Sequence, residues 1–531
     1  MDAKADEKLQ VLETKQCEVC QKPAIHRCGG CRRVCYCSKQ HQQDHWEQHK
    51  NVCRSYKICQ NDDHSRHVVA TRSLTPGEFI LLEPPLIWGP SFNTVPICLG
   101  CGKAVNGENS RPCNKCGWPV CSTLCEKSPS HLPECRYTIQ RGERVHIKKF
   151  GVPQPIYRCI TILRCLYHKQ FLPRSWKKLE KLLSSLGNHT STVTSENEKQ
   201  TIAEFIRRFF KVWAIFSMED VMKVCEMVMI NSHEVRLTDP PFIAIYSTTS
   251  MIEHNCRPNC TKSFTNLGQI LITAAVPIQE GDNLSISYTD PLSGTQSRRY
   301  FLHETKFFWC RCERCEDPTE LGTNFSALKC QSPDCDGYLL PKTFTDVQTL
   351  PDWICNICSR CVSSYSAHDV LERIEHDLYD LDKANVEECK HFLRTYESYL
   401  HENHFYFAGV EYIFCQLLGK SGVQLLSDED LELKFHYCCH LESLLKVLAP
   451  AEKCILGTVL FEKFSSIMEI RRRKGSQELK NNHEECRAIL HEVTELLKNE
   501  PDCLPEGKIY QKARAYLSNE VLMENENIDE N

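Results

Sequence analysis

Sixteen cysteine and histidine residues in the first 135 positions fall into two copies of one pattern. The first copy is Cys17, Cys20, Cys28, Cys31, Cys37, His41, His49 and Cys53; the second is Cys98, Cys101, Cys113, Cys116, Cys121, Cys125, His131 and Cys135. In each, two Cys-x2-Cys knuckles are followed by a pair spaced x3 and then by His-x3-Cys. Thiolates and imidazoles at this density are zinc chemistry, because tetrahedral zinc takes four such ligands and a knuckle supplies two of them from one turn. Eight ligands read as two zinc ions per copy, holding a module too short to fold on hydrophobic burial alone.

The elements that must position this chemistry change along the chain. Residues 66–90 alternate short β-rich runs with Pro and Gly, as small sheets joined by tight turns do, and Phe242–Tyr246, Gln269–Val276 and Leu284–Tyr288 repeat that style. Helical periodicity dominates elsewhere. Ile202, Phe205, Ile206, Phe209, Trp213 and Phe216 fall on one face and are expected to be core, while the polar stretch 184–200 is expected to be a surface loop. From Ala367 onward, helices are predicted near 368–382, 405–418, 430–448, 454–472, 477–498 and 506–520. Leu371, Ile374, Leu378 and Leu381 show the spacing. The run Arg471, Arg472, Arg473, Lys474 reads as a solvated helix end, and acidic residues 523–531 as a disordered tail.

A length of 531 residues allows about three to four domains. Thirty-five cysteines in a short secreted chain would mean disulfides. Here the charged start MDAKADEKLQ and the lack of a long apolar run exclude a signal peptide or membrane span, so the expected compartment is reducing and the thiols serve metal. The glycosylation-type tripeptides at Asn188 and Asn324 then carry no meaning. A net charge of −5 gives no global nucleic-acid footprint. Locally, residues 15–57 hold nine Lys/Arg against three acids. These cations either offset the zinc thiolates or form a basic partner-binding face.

Both copies resemble the MYND zinc finger, whose ligand pairs interleave. The resemblance implies one zinc on Cys17, Cys20, Cys37 and His41 and another on Cys28, Cys31, His49 and Cys53. In the second copy it implies Cys98, Cys101, Cys121 and Cys125, then Cys113, Cys116, His131 and Cys135. His41 stands where the family generally has cysteine, Tyr36 and Trp46 match, and Cys35 lies outside the spacing and reads as a packing residue. MYND modules are generally protein-interaction modules that take proline-rich peptides.

The segments EHNCRPNC (253–260) and GDNLSISYTD (281–290), followed by Cys310-x-Cys312-x2-Cys315, resemble the split SET domain of the SET and MYND domain (SMYD) family. The second finger sits where the family's finger interrupts the SET domain and the first precedes it, an order most like the arthropod-specific branch. The resemblance implies a multidomain α+β chain. It comprises a MYND finger (15–57), the N-terminal part of SET (64–92), a second MYND-like finger (98–135), a helical insert (141–240), the SET core (241–292), a post-SET segment (300–316) and a C-terminal TPR-like helical domain (367–522). A post-SET zinc is expected on Cys256, Cys310, Cys312 and Cys315. A zinc ribbon at 328–361 is expected from the spacing of Cys330, Cys335, Cys355 and Cys358. The total is six zinc ions on 21 of the 35 cysteines.

SET chemistry is methyl transfer from S-adenosylmethionine (AdoMet) to a lysine amine. The protein must aim the methyl, admit one lysine and hold its amine neutral, for which desolvation shifts the pKa in the needed direction. By position, the resemblance makes Arg66, Asn231, His254, Tyr288 and Phe308 cofactor-binding residues and Tyr288 the catalytic tyrosine. Four positions depart from the family. Its GxG turn is Ser65-Arg66-His67, which brings side chains where backbone should approach the cofactor. Glu253 replaces the asparagine of NHSC, His233 a channel phenylalanine and Lys306 the second channel tyrosine. Lys306 is either a like charge against the substrate or the partner of Glu253 in a compensated swap.

The resemblance therefore leaves two readings. One is a protein-lysine methyltransferase acting on histone or non-histone proteins in gene regulation, in the nucleus and/or cytoplasm. The other is an inactive zinc-rich adaptor that recruits partners in transcriptional repression. A nucleic-acid-binding zinc protein is a weaker third, since it needs a larger basic surface than residues 15–57 supply. No membrane partner is expected.

Overall fold

The computed structural model describes residues 16–24, 26–29, 31, 34–60, 66–183, 193–346, 351–420, 422–474 and 483–526. The first finger is a hairpin of His26–Arg27 with Cys35–Tyr36 followed by the helices Lys39–Asp44 and Trp46–Cys53. Among the described residues its buried core is Cys17, Cys28, Cys31, Tyr36 and Cys53, four of which are candidate ligands. Without metal, nothing apolar of consequence is left to hold it. Cys35 is buried beside this core and is absent from both ligand sets of this finger.

The SET part is assembled from strands far apart in sequence. Phe79–Glu83 and Cys260–Phe264 flank Ile270–Ala274, and Ile87–Pro90 and Ser232–Val235 flank Phe242–Ile245, all antiparallel. Arg66–Ala70 pairs with Tyr56–Gln60 on one side, and on the other Val68 and Ala70 bond to Leu284 and Asp282. Glu253–His254 and Ser285–Ile286 form a short parallel pair that threads the active-site segments together. Glu83 anchors the turn before them. Its buried carboxylate accepts from the Thr248 and Thr249 amides and from the Ser247 and Thr249 hydroxyls.

The second finger interrupts this framework after Ile87–Pro90 and differs from the first in how it is held. Cys98, Cys113, Cys116, Cys135 and Trp118 belong to the large core shared with the SET strands and the helical insert. Gly117 shows how tight the junction is: at φ 83° it lies so close to the Val145 carbonyl oxygen that a β-carbon would approach it to 2.1 Å.

Helices Ile160–Phe171, Pro173–Leu183, Val193–Phe209 and Met218–Asn231 form the insert. Residues 193–200, expected to be loop, are the first turns of a helix, with Lys199 buried; the rest of that stretch lies outside the described residues. The apolar stripe also needs correction. Ile202, Ile206 and Phe216 are buried, but Phe205 and Trp213 are exposed. The helix ends at Phe209 and Lys211 takes a left-handed conformation, so Trp213 leaves the stripe, while Phe205 stacks on Phe209 at the surface.

Beyond the SET part, a four-stranded antiparallel sheet of Leu328–Lys329, Tyr338–Pro341, Trp353–Cys355 and Cys361–Val362 leads into the tail helices. These are Ser364–Asp380, Val386–Tyr396, Phe405–Lys420, Asp428–Leu448, Lys453–Lys474, His483–Leu497 and Pro505–Glu526; the last four pack each on the next. The helix Val386–Tyr396 is absent from the sequence expectation. It is short and mostly charged outside, with Asn385 capping its start and Cys389, Phe392 and Leu393 turned inward. The basic run is a solvated helix end only in part: Arg472 and Lys474 are exposed, but Arg471 is buried against Cys486 and Glu485, and Glu469 pairs with Arg472 and Arg473. Of the expected disordered tail, 523–526 continue the last helix and 527–531 lie outside the described residues. The Asn324 tripeptide is buried, with Phe325 fully inside; the Asn188 one lies outside the described residues. Among the described residues no helix is long and apolar enough to cross a membrane.

Candidate active site and metal centres

Five ligand sets converge, each with its ligand atoms within 4.8 Å of one another. They are Cys17, Cys20, Cys37 and His41; Cys28, Cys31, His49 and Cys53; Cys98, Cys101, Cys121 and Cys125; Cys113, Cys116, His131 and Cys135; and Cys256, Cys310, Cys312 and Cys315. Separations such as Cys20–Cys37 at 3.6 Å, Cys101–Cys121 at 3.5 Å and Cys116 to His131 Nε2 at 3.3 Å are close to a zinc tetrahedron's edges, about 3.8 Å between sulfurs bonded at about 2.3 Å. In the ribbon, Cys330 lies 3.7 Å from Cys358 and Cys335 3.7 Å from Cys355, which brings the two knuckles together. These donor sets fit zinc.

Two of the centres are braced by charges that the cysteine spacing does not reveal. Behind His131, the fully buried carboxylate of Glu134 accepts from His131 Nδ1 at 3.1 Å and from Arg164 Nε and Nη2 at 3.0 and 2.9 Å. That bond fixes the tautomer and leaves Nε2 for the metal. Arg164 in turn donates to the carbonyls of Trp88 and Leu99, tying the finger to the SET strand beneath it. At the post-SET centre, Arg298 and Arg314 share the buried carboxylate of Glu320, both at 2.9 Å, and Arg298 reaches Cys315 Sγ at 3.9 Å. A four-thiolate zinc would carry net −2, and the Arg298–Glu320–Arg314 triad beside it, net +1, offsets part of that charge.

The post-SET centre is wired to the candidate catalytic tyrosine through one histidine. The Tyr288 backbone N–H donates to His254 Nδ1 at 3.0 Å, so the proton of this imidazole sits on Nε2, 3.2 Å from Cys256 Sγ. Ring centroids of His254 lie 5.3 Å from Tyr288 and 6.1 Å from Phe308. The Tyr288 hydroxyl donates to the Ile252 carbonyl, and burial, then the Glu253 charge, holds its pKa above the usual phenol value. Asn231, at the end of Met218–Asn231, bonds back to Met227 and accepts the Ser250 hydroxyl on its carbonyl. Asn231, His254, Tyr288 and Phe308 all stay partly accessible, as side chains lining a recess do. Arg66 starts the strand that runs beside 282–284 and donates to the Lys181 carbonyl at 2.7 Å.

The departures from the family pattern gather in the same place. Lys306 Nζ donates to the carbonyls of Ile230 at 2.6 Å and Met229 at 3.2 Å, and lies 5.8 Å from the centre of the Tyr288 ring. Glu253 instead accepts from Asn283 Nδ2 at 2.9 Å, so the two do not pair and the swap is not compensated. Burial, reinforced by the charge of Lys262, lowers the Lys306 pKa to about 8. His233 is held far below the usual histidine value by burial and then by Lys262 and Lys306. Lys262, missed by sequence reasoning because it reads as an ordinary strand residue, donates to the Ser287 carbonyl at 3.0 Å. Lys306, Lys262 and His233 thus lie within electrostatic reach of one another.

The chemistry of these residues suits AdoMet on the aromatic side, where the Phe308 and His254 rings and the short parallel pair come together. Against this stands His67, whose Nδ1 is buried without a partner where the family has glycine. That orphaned nitrogen would be a donor or acceptor toward a polar cofactor.

The family comparisons agree with this geometry. The MYND finger model matches residues 17–53 and the SET domain model residues 65–289, a span that encloses the second finger. The SET domain-containing protein SmydA-8, isoform B, of Drosophila melanogaster is 27% identical over 316 residues, covering 57% of this chain and 66% of that protein. Histone-lysine N-methyltransferase ASHR1 of Arabidopsis thaliana is 25% identical over 323 residues, 57% of this chain and 63% of that one. Histone-lysine N-methyltransferase SMYD3 of Homo sapiens is 24% identical over 272 residues, 46% and 58%. The chain spans less than two thirds of the length of these curated relatives.

Proposed function

Because this chain is a SET and MYND domain protein, we propose that it is an AdoMet-dependent protein-lysine methyltransferase acting on histone or other proteins in gene regulation, in the nucleus and/or cytoplasm. The observation that carries this reading is the connection from the Cys256 centre through His254 to Tyr288, with the Phe308 ring beside His254. Zinc held by Cys256, Cys310, Cys312 and Cys315 would fix Cys256, and through the His254 bonds the Tyr288 backbone. Asn231, His254, Phe308 and Arg66 would hold AdoMet, which supplies an electrophilic methyl on a cationic sulfur. The remaining work is the chain's own. Carbonyls at the end of Met218–Asn231 accept N–H bonds from an amine and aim its lone pair, since the last turn of a helix leaves carbonyls unpaired. The Tyr288 ring walls one side, and the enclosure disfavours the ammonium form, as it does for Lys306. The fingers bring in the protein partner, a role in which MYND modules take proline-rich peptides.

The test is AdoMet-dependent transfer of labelled methyl to a lysine-scanning peptide array, run beside Tyr288→Phe. Label on defined lysines that vanishes in the variant supports the reading; label that persists in the variant removes Tyr288 from it. A second reading, an adaptor without methyl transfer, is favoured by the uncompensated Lys306 cation in the channel. For it, no array lysine is labelled although cofactor binds.

A further inference from the structure

Lys306 presents an unusual arrangement: an ammonium bound by two backbone carbonyls at a helix C-terminus, over an aromatic ring, inside a recess. Those groups are what a lysine ammonium entering from outside would need. The carbonyls of Met229 and Ile230 belong to the last turn of Met218–Asn231, where unpaired carbonyls concentrate negative potential. The Tyr288 ring presents its face to the cation, with Nζ 5.8 Å from its centre. The lysine is delivered from the end of Thr295–Lys306, where Phe307 closes the helix in a left-handed conformation and fixes the direction of the preceding side chain. Among the described residues no carboxylate forms an ion pair with it, and Glu253 is engaged with Asn283. Lys262 is the charged neighbour that adds to the positive potential, while His233 is held in its neutral form by burial and by the two lysines.

We propose that Lys306 is a resident occupant of the amine subsite: its ammonium stands where the ε-amine of a substrate lysine binds, and it sets which amines the channel admits. The proposal rests on the methyltransferase reading and adds to it a residue that governs substrate entry. Two ammonium groups cannot share two carbonyls. A substrate lysine therefore enters only when the Lys306 side chain swings out, and a chain that keeps it in place binds cofactor without turning over. The departure from a channel tyrosine is thus a replacement of a wall by an internal ligand.

Removing the side chain beyond its β-carbon should leave an empty subsite that a small free alkylammonium can fill. The experiment uses the full zinc-loaded chain, Lys306→Ala and Lys306→Met, with n-propylammonium as the probe and n-propanol as its uncharged counterpart. Binding is read by thermal stabilisation in the presence of S-adenosylhomocysteine, whose own binding is measured by calorimetry in all three chains. Propylammonium should bind Lys306→Ala at least about a hundred-fold more tightly than the natural chain, where it meets a second ammonium in an enclosed site. Lys306→Met, which refills the space without charge, should bind it no better than the natural chain does. With AdoMet, Lys306→Ala alone should yield N-methylpropylamine by mass spectrometry: the amine lone pair takes the methyl, the sulfur keeps the electrons of the broken carbon–sulfur bond, and one proton is released. Equal binding of propylammonium to the natural chain and Lys306→Ala overturns the proposal. So does an alanine variant that binds both cofactor and amine and transfers nothing, because the vacated place is then not the amine subsite. If no chain binds S-adenosylhomocysteine, it is the methyltransferase reading that falls, and calorimetry shows that before any amine is added.

Discussion

Replacing Glu134 by glutamine changes one atom and should unsettle the second finger. The carboxylate receives three hydrogen bonds from two donors, His131 and Arg164, and is shut off from water. Glutamine keeps the shape but turns one acceptor into an NH2 group, which must face either the imidazole or the guanidinium. One charge-assisted hydrogen bond is lost if the NH2 takes the Oε2 position, facing Arg164 Nε, and two if it takes Oε1, which accepts from both His131 Nδ1 and Arg164 Nη2, at about 1.5–3 kcal/mol each. Arg164 also loses its counter-charge while buried, which brings the whole effect to about 3–5 kcal/mol. On the metal side, an imidazole that has lost its orienting carboxylate holds zinc about 10–100-fold more weakly. The assay is zinc release to a chromophoric chelator, with urea unfolding alongside. One zinc should leave about 10–100-fold faster than from the natural chain, and the unfolding midpoint should fall. Glu219→Gln, which touches an exposed helix pair with Lys223, should change stability by less than about 0.5 kcal/mol. If Glu134→Gln matches Glu219→Gln and releases zinc at the natural rate, the buried carboxylate does not brace the metal centre.

Glu320→Gln should cost about 3–5 kcal/mol in urea unfolding, because it leaves Arg298 and Arg314 buried without their shared counter-charge; a loss under about 1 kcal/mol contradicts the triad. Lys306 should show half-maximal labelling by an amine-selective reagent near pH 8, well below an exposed lysine. Its folded pKa is depressed, so between that pH and the unfolded lysine value the unfolded chain binds more protons and stability rises with pH; a labelling midpoint at the ordinary lysine value would mean an open, solvated side chain. Cys256→Ser should lower the zinc content by one ion per chain and loosen Tyr288 through His254; unchanged metal content excludes Cys256 as a ligand. Partial chelation should expose the first finger to proteolysis before the second, because only the second shares its core with the SET strands.

The metal ligands were legible because zinc imposes both residue type and spacing on the chain, and the knuckles of the two fingers come together in the interleaved way the resemblance implied. The fold class followed from the same segments. What the sequence hid depends on contacts between residues far apart. Glu134 and Arg164 lie 30 positions from each other, and nothing in either neighbourhood marks a buried pair. Glu134 stands three residues after His131, the ligand that precedes its helix, which is the one local signal that was available. The fate of Lys306 was equally closed: pairing with Glu253 and isolation in the channel are the same sequence, and only the register that hands Glu253 to Asn283 decides between them. Helix ends misled where one residue changed hand, as at Lys211, which turned Trp213 from core to surface. The short helix Val386–Tyr396 escaped because few of its residues are apolar and its stability comes from an asparagine cap and tertiary burial.

The most direct test of the central claim, that the recess around Tyr288 is a working cofactor site, is calorimetric titration of AdoMet into the zinc-loaded natural chain beside a Glu253→Asn, Lys306→Tyr double variant. The account predicts micromolar binding to the natural chain, since Asn231, His254 and Phe308 line the recess without help from either altered residue. Binding that appears only in the double variant contradicts it and leaves the adaptor reading in its place.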